Sequence, residues 1–436
     1  MGIEYFIIAV IIAIIYIWQK YTSRIKSGLV FPSTIFMLMW AFACFASVIV
    51  QAYDLLDDFG SGYKIVGPYI FLFILVSLLG FLLASKTIRI NLDAYNFNSD
   101  YISYFLEKMK IFLYLSFLLG LVRIYFMVKI FGWETLYDYR QNALIASSIE
   151  NNGIFDLVVQ ISSYIYVLAT FSVVLLAIKQ ALTGFNLKEM LWYFILFSSQ
   201  ALSIGGRMFI LDFISCFFFM FLLIRVRNKR ILSNKEFTLV GSSFAILIVL
   251  IMILGIARNN GNEVESSADY YDKYLYIQDG IIYTSAVFEL SPENAFDLDF
   301  GKNITSINRE DTNFARFRDG INMELYLPFI TGVIAPLYFD FGYWGSLFAW
   351  FIICFLGELA AYYAYNRGTI WGMLFIFVLI RFFYDTPLMV SGGRGFFRYL
   401  AVLLIIYWAS RYLMLDFKSW QFNKQLSDSG DKLLDL

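Results

Sequence analysis

The sequence predicts an all-α, polytopic helical membrane protein of about 11–12 transmembrane helices, with one large extracytoplasmic loop and a re-entrant or interfacial segment. Three observations predict it. The 436 residues are 60% hydrophobic and 15% charged, with a mean hydropathy of +0.68, whereas soluble domains carry about 25% charged residues. The apolar residues are gathered into runs of about 20, the length that crosses about 30 Å of hydrocarbon at about 1.5 Å per residue. Lys and Arg collect in alternate short connections, which is the pattern that orients membrane helices.

The first run, 3–19, lies in MGIEYFIIAVIIAIIYIWQK and lacks the basic n-region and small-residue cleavage site of a signal peptide, so it reads as a retained span. The basic stretch KYTSRIK (20–26) separates it from 29–50, and the run 66–84 follows. SKTIR and EKMK, within 85–110, lead to 111–130, after which come 154–178, 190–204 and 208–224. RVRNKRILSNK (225–235) is the most basic connection and precedes 237–257, and the runs 343–365, 369–388 and 396–413 close the series. LYLPFITGVIAPLYFDF (325–341) has two prolines and ends near Asp340. It reads as the re-entrant or interfacial segment, because broken backbone at membrane depth needs shelter from protein or a wet cavity.

Positive charge then puts 20–26, 85–110, 225–235 and the C-terminal tail in the cytoplasm, with 51–65, 131–153 and 258–324 outside. The chain divides into eight spans over 1–257, a large outer loop over 258–324, the re-entrant segment and last spans over 325–415, and a cytoplasmic tail over 416–436. The outer loop carries 13 acids against 6 bases and many tyrosines. Loops of that length are functional or disordered, and the aromatic content argues against disorder.

A net charge of −1 and a pI near 5.7 point away from nucleic acid. The three cysteines, Cys44, Cys216 and Cys354, fall inside apolar runs and read as core residues. Histidine is absent, which removes the commonest general base and metal ligand. No Walker motif, nucleotide-binding glycine loop, Ser/His pair or Cys/His metal spacing is present, so the energy for any reaction comes with the substrate.

The arginines carry the chemistry. SIGGRMFILDF (203–213) and VSGGRGFFRYL (390–400) each place Gly-Gly-Arg at the mouth of an apolar run. A guanidinium beside a helix N-terminus makes a phosphate site, and glycines such as Gly206 and Gly393 let the backbone approach closely. Arg207 and Arg394 hold that position, and Arg398 shares the face of Arg394 at i+4. The plainer alternative is that these side chains snorkel to the interface. Arg140, Arg258 and Arg318, each in or beside an outward loop, add cations to the same face. Within the runs lie Arg123, Lys129, Asp212 and Glu358, together with Arg381 and Asp385, which at i+4 are placed to neutralise each other. Glu358, near the end of its run, reads as a snorkelling residue.

The stretch SIGGRMFILDFISCFFFMFLLIR, the large loop after ILGIARNNGN and the segment PFITGVIAPLYFDFGYWGSLFAWFIICFLGELA together resemble the oligosaccharide repeat-unit polymerases, the Wzy-type O-antigen polymerases of bacterial inner membranes. The likeness covers about 190–400. It implies an enzyme, a metal-independent glycosyltransferase without cofactor, that joins repeat units carried on undecaprenyl pyrophosphate at the periplasmic face. Membrane lipids, a chain-length regulator and a flippase of the same pathway are its implied partners. The family's functional arginines map onto Arg207 and Arg258, while Arg394 rests on the physical argument above. The related ligases carry an outer-loop histidine, which this chain lacks. Without histidine the acceptor hydroxyl needs a carboxylate base, for which Asp319, Glu324 and Asp385 are the candidates. Tyr271, Tyr274 and Tyr276 suit stacking on sugar faces.

Two other classes fit parts of the pattern. A metal-dependent polyprenyl-phosphate glycosyltransferase would use Asp57 and Asp58 as ligands. A lipid-linked oligosaccharide flippase would also line a cavity with arginines, although it should show repeated halves with paired broken helices.

Overall fold

The computed structural model describes residues 3–23, 30–52, 60–88, 98–131, 153–204, 212–228, 233–259, 279–290, 297–305, 312–317, 332–388 and 396–411. Every regular element among them is helical, and the chain is an all-α polytopic membrane protein. Six helices among the described residues are long and apolar enough to cross a bilayer: Ile3–Lys20, Pro32–Ile49, Val66–Thr87, Ser99–Phe126, Gln160–Thr183 and Ile334–Arg367. The chain folds as two compact units, Met1–Asp93 with Glu263–Arg398, and Ala94–Asn262 with Tyr399–Leu436.

The first unit contains α1 (Ile3–Ser23), α2 (Pro32–Ala52) and α3 (Gly60–Thr87). Its second part adds α9 (Asp279–Leu290), α10 (Ile334–Arg367) and α11 (Ile370–Asp385). Between lipid-facing helices the hydrophobic effect offers little, so close packing and hydrogen bonds must join them. Here α3 lies so near α10 that a Cβ on Gly80 would meet the Phe351 carbonyl at 2.9 Å. Around that contact Phe73 stacks on Trp350 at 5.1 Å, and Phe36 and Phe81 set their edges on Phe383. The indole N–H groups are satisfied: Trp350 donates to Ser77 at 2.8 Å and Trp40 to Thr386 at 3.0 Å.

The backbone of α10 breaks at Gly342, whose φ of +71° and ψ of −173° belong to a region open essentially to glycine alone. Residues 334–341 before the break are helical and largely buried. The segment around Asp340 is therefore joined to the span that follows through one glycine kink. Beyond the kink Trp344, Phe348, Ile352, Leu356 and Tyr363 form one exposed apolar stripe. From Trp344 to Tyr363 the rise is about 29 Å, close to the hydrocarbon thickness. Arg367 closes that end by stacking over Tyr363 at 5.0 Å and donating to its hydroxyl, an aromatic and basic pair suited to a membrane interface.

The second unit contains α4 (Ser99–Phe131), α5 (Gly153–Thr183), α6 (Leu187–Ile204), α7 (212–227) and α8 (Asn234–Asn259). It also takes α12 (396–411) from Tyr399 onward. The helix α4 packs along α5 and α6, and Gly120 lets it approach Ser199 so closely that a Cβ would lie 2.8 Å from the hydroxyl. The basic connection between α7 and α8 is more than a topology signal. Ser233 and Glu236 form a reciprocal cap at the start of α8, each accepting the other's backbone N–H at 3.2 Å. The same carboxylate accepts the Phe185 N–H at 3.3 Å and pairs with the buried Arg225. One glutamate thus ties the ends of α5, α7 and α8 together. All three cysteines are buried thiols.

Candidate functional site

Most of the expected anion site lies outside the described residues: Arg140, Gly206, Arg207, Arg318, Gly393 and Arg394, together with Asp319, Glu324, Tyr271, Tyr274 and Tyr276. Asp57 and Asp58 lie outside them too. Three expected site residues are described. Arg258 stands in the last turn of α8, Arg398 is half-buried in the first turn of α12, and Asp385 ends α11.

Asp385 pairs with Arg381 one turn earlier, Nε to Oδ2 at 3.6 Å, with the carboxylate about one-third exposed. The i+4 spacing on α11 makes this contact, and the pair neutralises itself inside an otherwise apolar helix. A base at Asp385 would have to work beside that guanidinium.

Glu358 departs from expectation. It does not snorkel; it is fully buried in α10 and accepts from Ser33 twice, from Oγ at 2.9 Å and from the backbone N–H at 3.1 Å. Ser33 sits in the first turn of α2, directly after Pro32, where backbone N–H groups lack helical partners. The carboxylate thus acts as a distant cap on a positive helix end. Tyr365, two turns along α10, secures the same place by donating to the Val30 carbonyl at 2.5 Å.

A second buried acidic group was visible in the sequence only as the aspartate near the end of 325–341. Asp340 and Asp299 both accept from the Asn303 amide, at 2.9 and 2.8 Å. Asp340 also accepts the Asn303 backbone N–H at 3.0 Å, and Asp299 takes N–H groups of Asn313 and Phe314 at 3.0 and 3.3 Å. Backbone bonds from Asp299 to Phe339 and from Phe300 to Asp340 complete the clasp. They hold Phe300 at a φ of +46°, the single positive value for a non-glycine among the described residues. Through these bonds the two carboxylates hold 297–305 and 312–317 against the start of α10.

In the second unit, polar groups meet between helices at span depth. Arg123 of α4 is buried and its Nη1 reaches Ser162 of α5 at 3.4 Å. One turn along α5, Tyr166 donates to Asp212 at 2.6 Å, and Phe197 of α6 packs against the Tyr166 ring. Asp212 opens the described part of α7, five residues after Arg207 in sequence. The helix then passes through a π-helical turn, Ser215–Phe219, before Met220–Arg227. Such turns insert an extra residue at a cost and recur at functional sites. The sequence marked Arg123 and Asp212 as charges within spans but could not show their partners, because the register of α4 against α5 is a tertiary property.

Comparison of the chain with protein families, curated proteins and solved structures finds no match.

Proposed function

We propose that this multi-pass membrane protein is an oligosaccharide repeat-unit polymerase of a bacterial inner membrane. It transfers a growing glycan from one undecaprenyl pyrophosphate to the terminal sugar hydroxyl of a second lipid-linked repeat. The bond from the donor's anomeric carbon to the pyrophosphate breaks, a glycosidic bond forms, and polyprenyl pyrophosphate leaves. The hydroxyl proton passes to a carboxylate, with Asp319, Glu324 and Asp385 as the candidates. The leaving group brings its own activation, so the protein's main task is to stabilise developing phosphate charge with fixed donors. Arg207 and Arg258, with Arg394 and Arg398, are the residues proposed for it.

One observation carries this reading. The stretch that follows Arg207 leads into a buried polar anchor: Asp212 is 6% exposed and fixed by the Tyr166 hydroxyl, and a π-helical turn follows at once. A helix mouth that only snorkelled would have no need of a buried carboxylate and an irregular turn behind it. The sequence likeness over 190–400 and the absence of histidine support the polymerase over a ligase.

Disrupting the gene in the source cell and separating surface polysaccharide on a gel tests the proposal. The expected result is a single repeat unit in place of a ladder. An unchanged ladder would overturn it, and loss of even the single unit would point to a flippase.

A further inference from the structure

A charge buried between transmembrane helices is expensive, about 2.5–3.5 kcal/mol on insertion scales, and is retained where it has a partner or a task. Arg123 is such a charge. It is 8% exposed, and among the described residues its one hydrogen bond is the 3.4 Å contact to a neutral serine and its buried Nε has no acceptor. No carboxylate among the described residues forms an ion pair with it. Asp212 of α7 is engaged by Tyr166, which lies one helical turn along α5 from Ser162.

Its depth is informative. Arg123 lies about 12 Å of helix rise before Phe131, and Ser162 about 13 Å after Gly153, so the pair sits at one level in antiparallel helices. That level is too far from either helix end for water to solvate the charge freely, yet within reach of a phosphate drawn in from the headgroup region. A guanidinium presents five N–H donors in a planar fork matched to phosphate oxygens. Ser162 accepts from one arm of the fork and leaves the remaining donors for a ligand.

We infer that Arg123 and Ser162 form an intramembrane anion site that takes a lipid-borne phosphate, the chain of the lipid lying along α4 and α5 in the bilayer. This rests on the polymerase reading for its physiological ligand, and adds to it a phosphate contact that neither Gly-Gly-Arg triplet supplies. The chemistry is shared by a polyprenyl phosphate and by an anionic phospholipid, so the experiment must separate them.

The full chain is purified in detergent and its thermal unfolding followed with polyprenyl monophosphate, with the neutral polyprenol, with phosphatidylglycerol and with inorganic pyrophosphate. Polyprenyl monophosphate should raise the midpoint in a concentration-dependent way and polyprenol should not. A larger shift from phosphatidylglycerol would identify bulk lipid as the source while upholding the site. Equal shifts from inorganic pyrophosphate would overturn the claim that the phosphate is lipid-borne.

Two variants make the test decisive. Arg123→Met keeps length and removes charge, so it should weaken polyprenyl monophosphate binding by about tenfold or more. Without ligand it should be at least as stable as the parent protein, since an uncompensated buried charge has been removed. Arg123→Lys should bind with intermediate affinity, keeping charge but losing the fork. Parental affinity in Arg123→Met, or a large loss of unliganded stability with binding intact, would overturn the inference and leave a structural arginine. These outcomes are independent of the gel. A ladder that survives gene disruption removes the polymerase reading alone, whereas unaltered binding by Arg123→Met removes this site alone.

Discussion

Replacing Glu358 tests the helix-capping arrangement at the heart of the first unit. In the native protein its two oxygens hold the Ser33 hydroxyl and backbone N–H at 2.9 and 3.1 Å, and neither residue is exposed. Glu358→Ala strands both donors. An unsatisfied buried N–H costs about 1–3 kcal/mol, and a hydrogen bond to a charged group contributes about 1.5–3 kcal/mol. The expected loss is therefore about 3 kcal/mol. Glu358→Gln can still accept the N–H and donate to the hydroxyl oxygen, so its loss should be about 1 kcal/mol. Ser33→Ala removes the hydroxyl but not the N–H, and with Glu358→Ala it should be non-additive by about 1 kcal/mol. The assay is reversible unfolding of the purified protein from mixed micelles, monitored by its tryptophans. A Glu358→Ala variant within about 0.5 kcal/mol of the parent would refute the reasoning, since that is the response of a surface residue.

Three further outcomes follow from the geometry. Burial pushes the Glu236 carboxyl up, but the N–H groups of Ser233 and Phe185 and the Arg225 guanidinium outweigh it and hold its pKa below the usual range. Its stabilising contribution is thus complete above the unfolded value of about 4.3 and is lost as pH falls through the lower folded value; Glu236→Gln should flatten that acid limb in a melting-temperature series. Gly342→Ala puts a Cβ into a backbone region open essentially to glycine and should cost about 1–3 kcal/mol in the same unfolding assay. Arg207→Lys and Arg394→Lys keep charge but lose the bidentate fork, so the polysaccharide gel should show them nearly as defective as the alanine variants at equal protein levels; near-normal polymer from both would mean that these side chains only snorkel.

Hydropathy located helices better than it located their ends. The run 111–130 falls inside a helix that starts at Ser99, because SDYISYFLEKMK is helical without being uniformly oily. The start is set by Asn98, whose side chain accepts the N–H groups of Asp100 and Tyr101 at 3.0 Å each, a capping signal that a hydropathy window does not see. The division between 325–341 and 343–365 follows a real break at Gly342, yet the helix resumes directly on its far side. Charges were legible as residue types in improbable places, whereas their partners were not. Glu358 meets a serine 325 positions away, and Arg123 meets Ser162 through an interhelical register that no local pattern encodes. Arg381 and Asp385 were legible as a pair because i+4 spacing on one helix is a local fact.

Polymerase activity is read by reconstituting the purified protein in vesicles with a defined undecaprenyl-pyrophosphate-linked repeat unit and a chelator, and separating the glycans formed. A ladder of whole repeat units is expected, with one undecaprenyl pyrophosphate released for each bond made and no nucleotide sugar or divalent metal required. No product above the single repeat, or a product that appears only when divalent metal is restored, would contradict it.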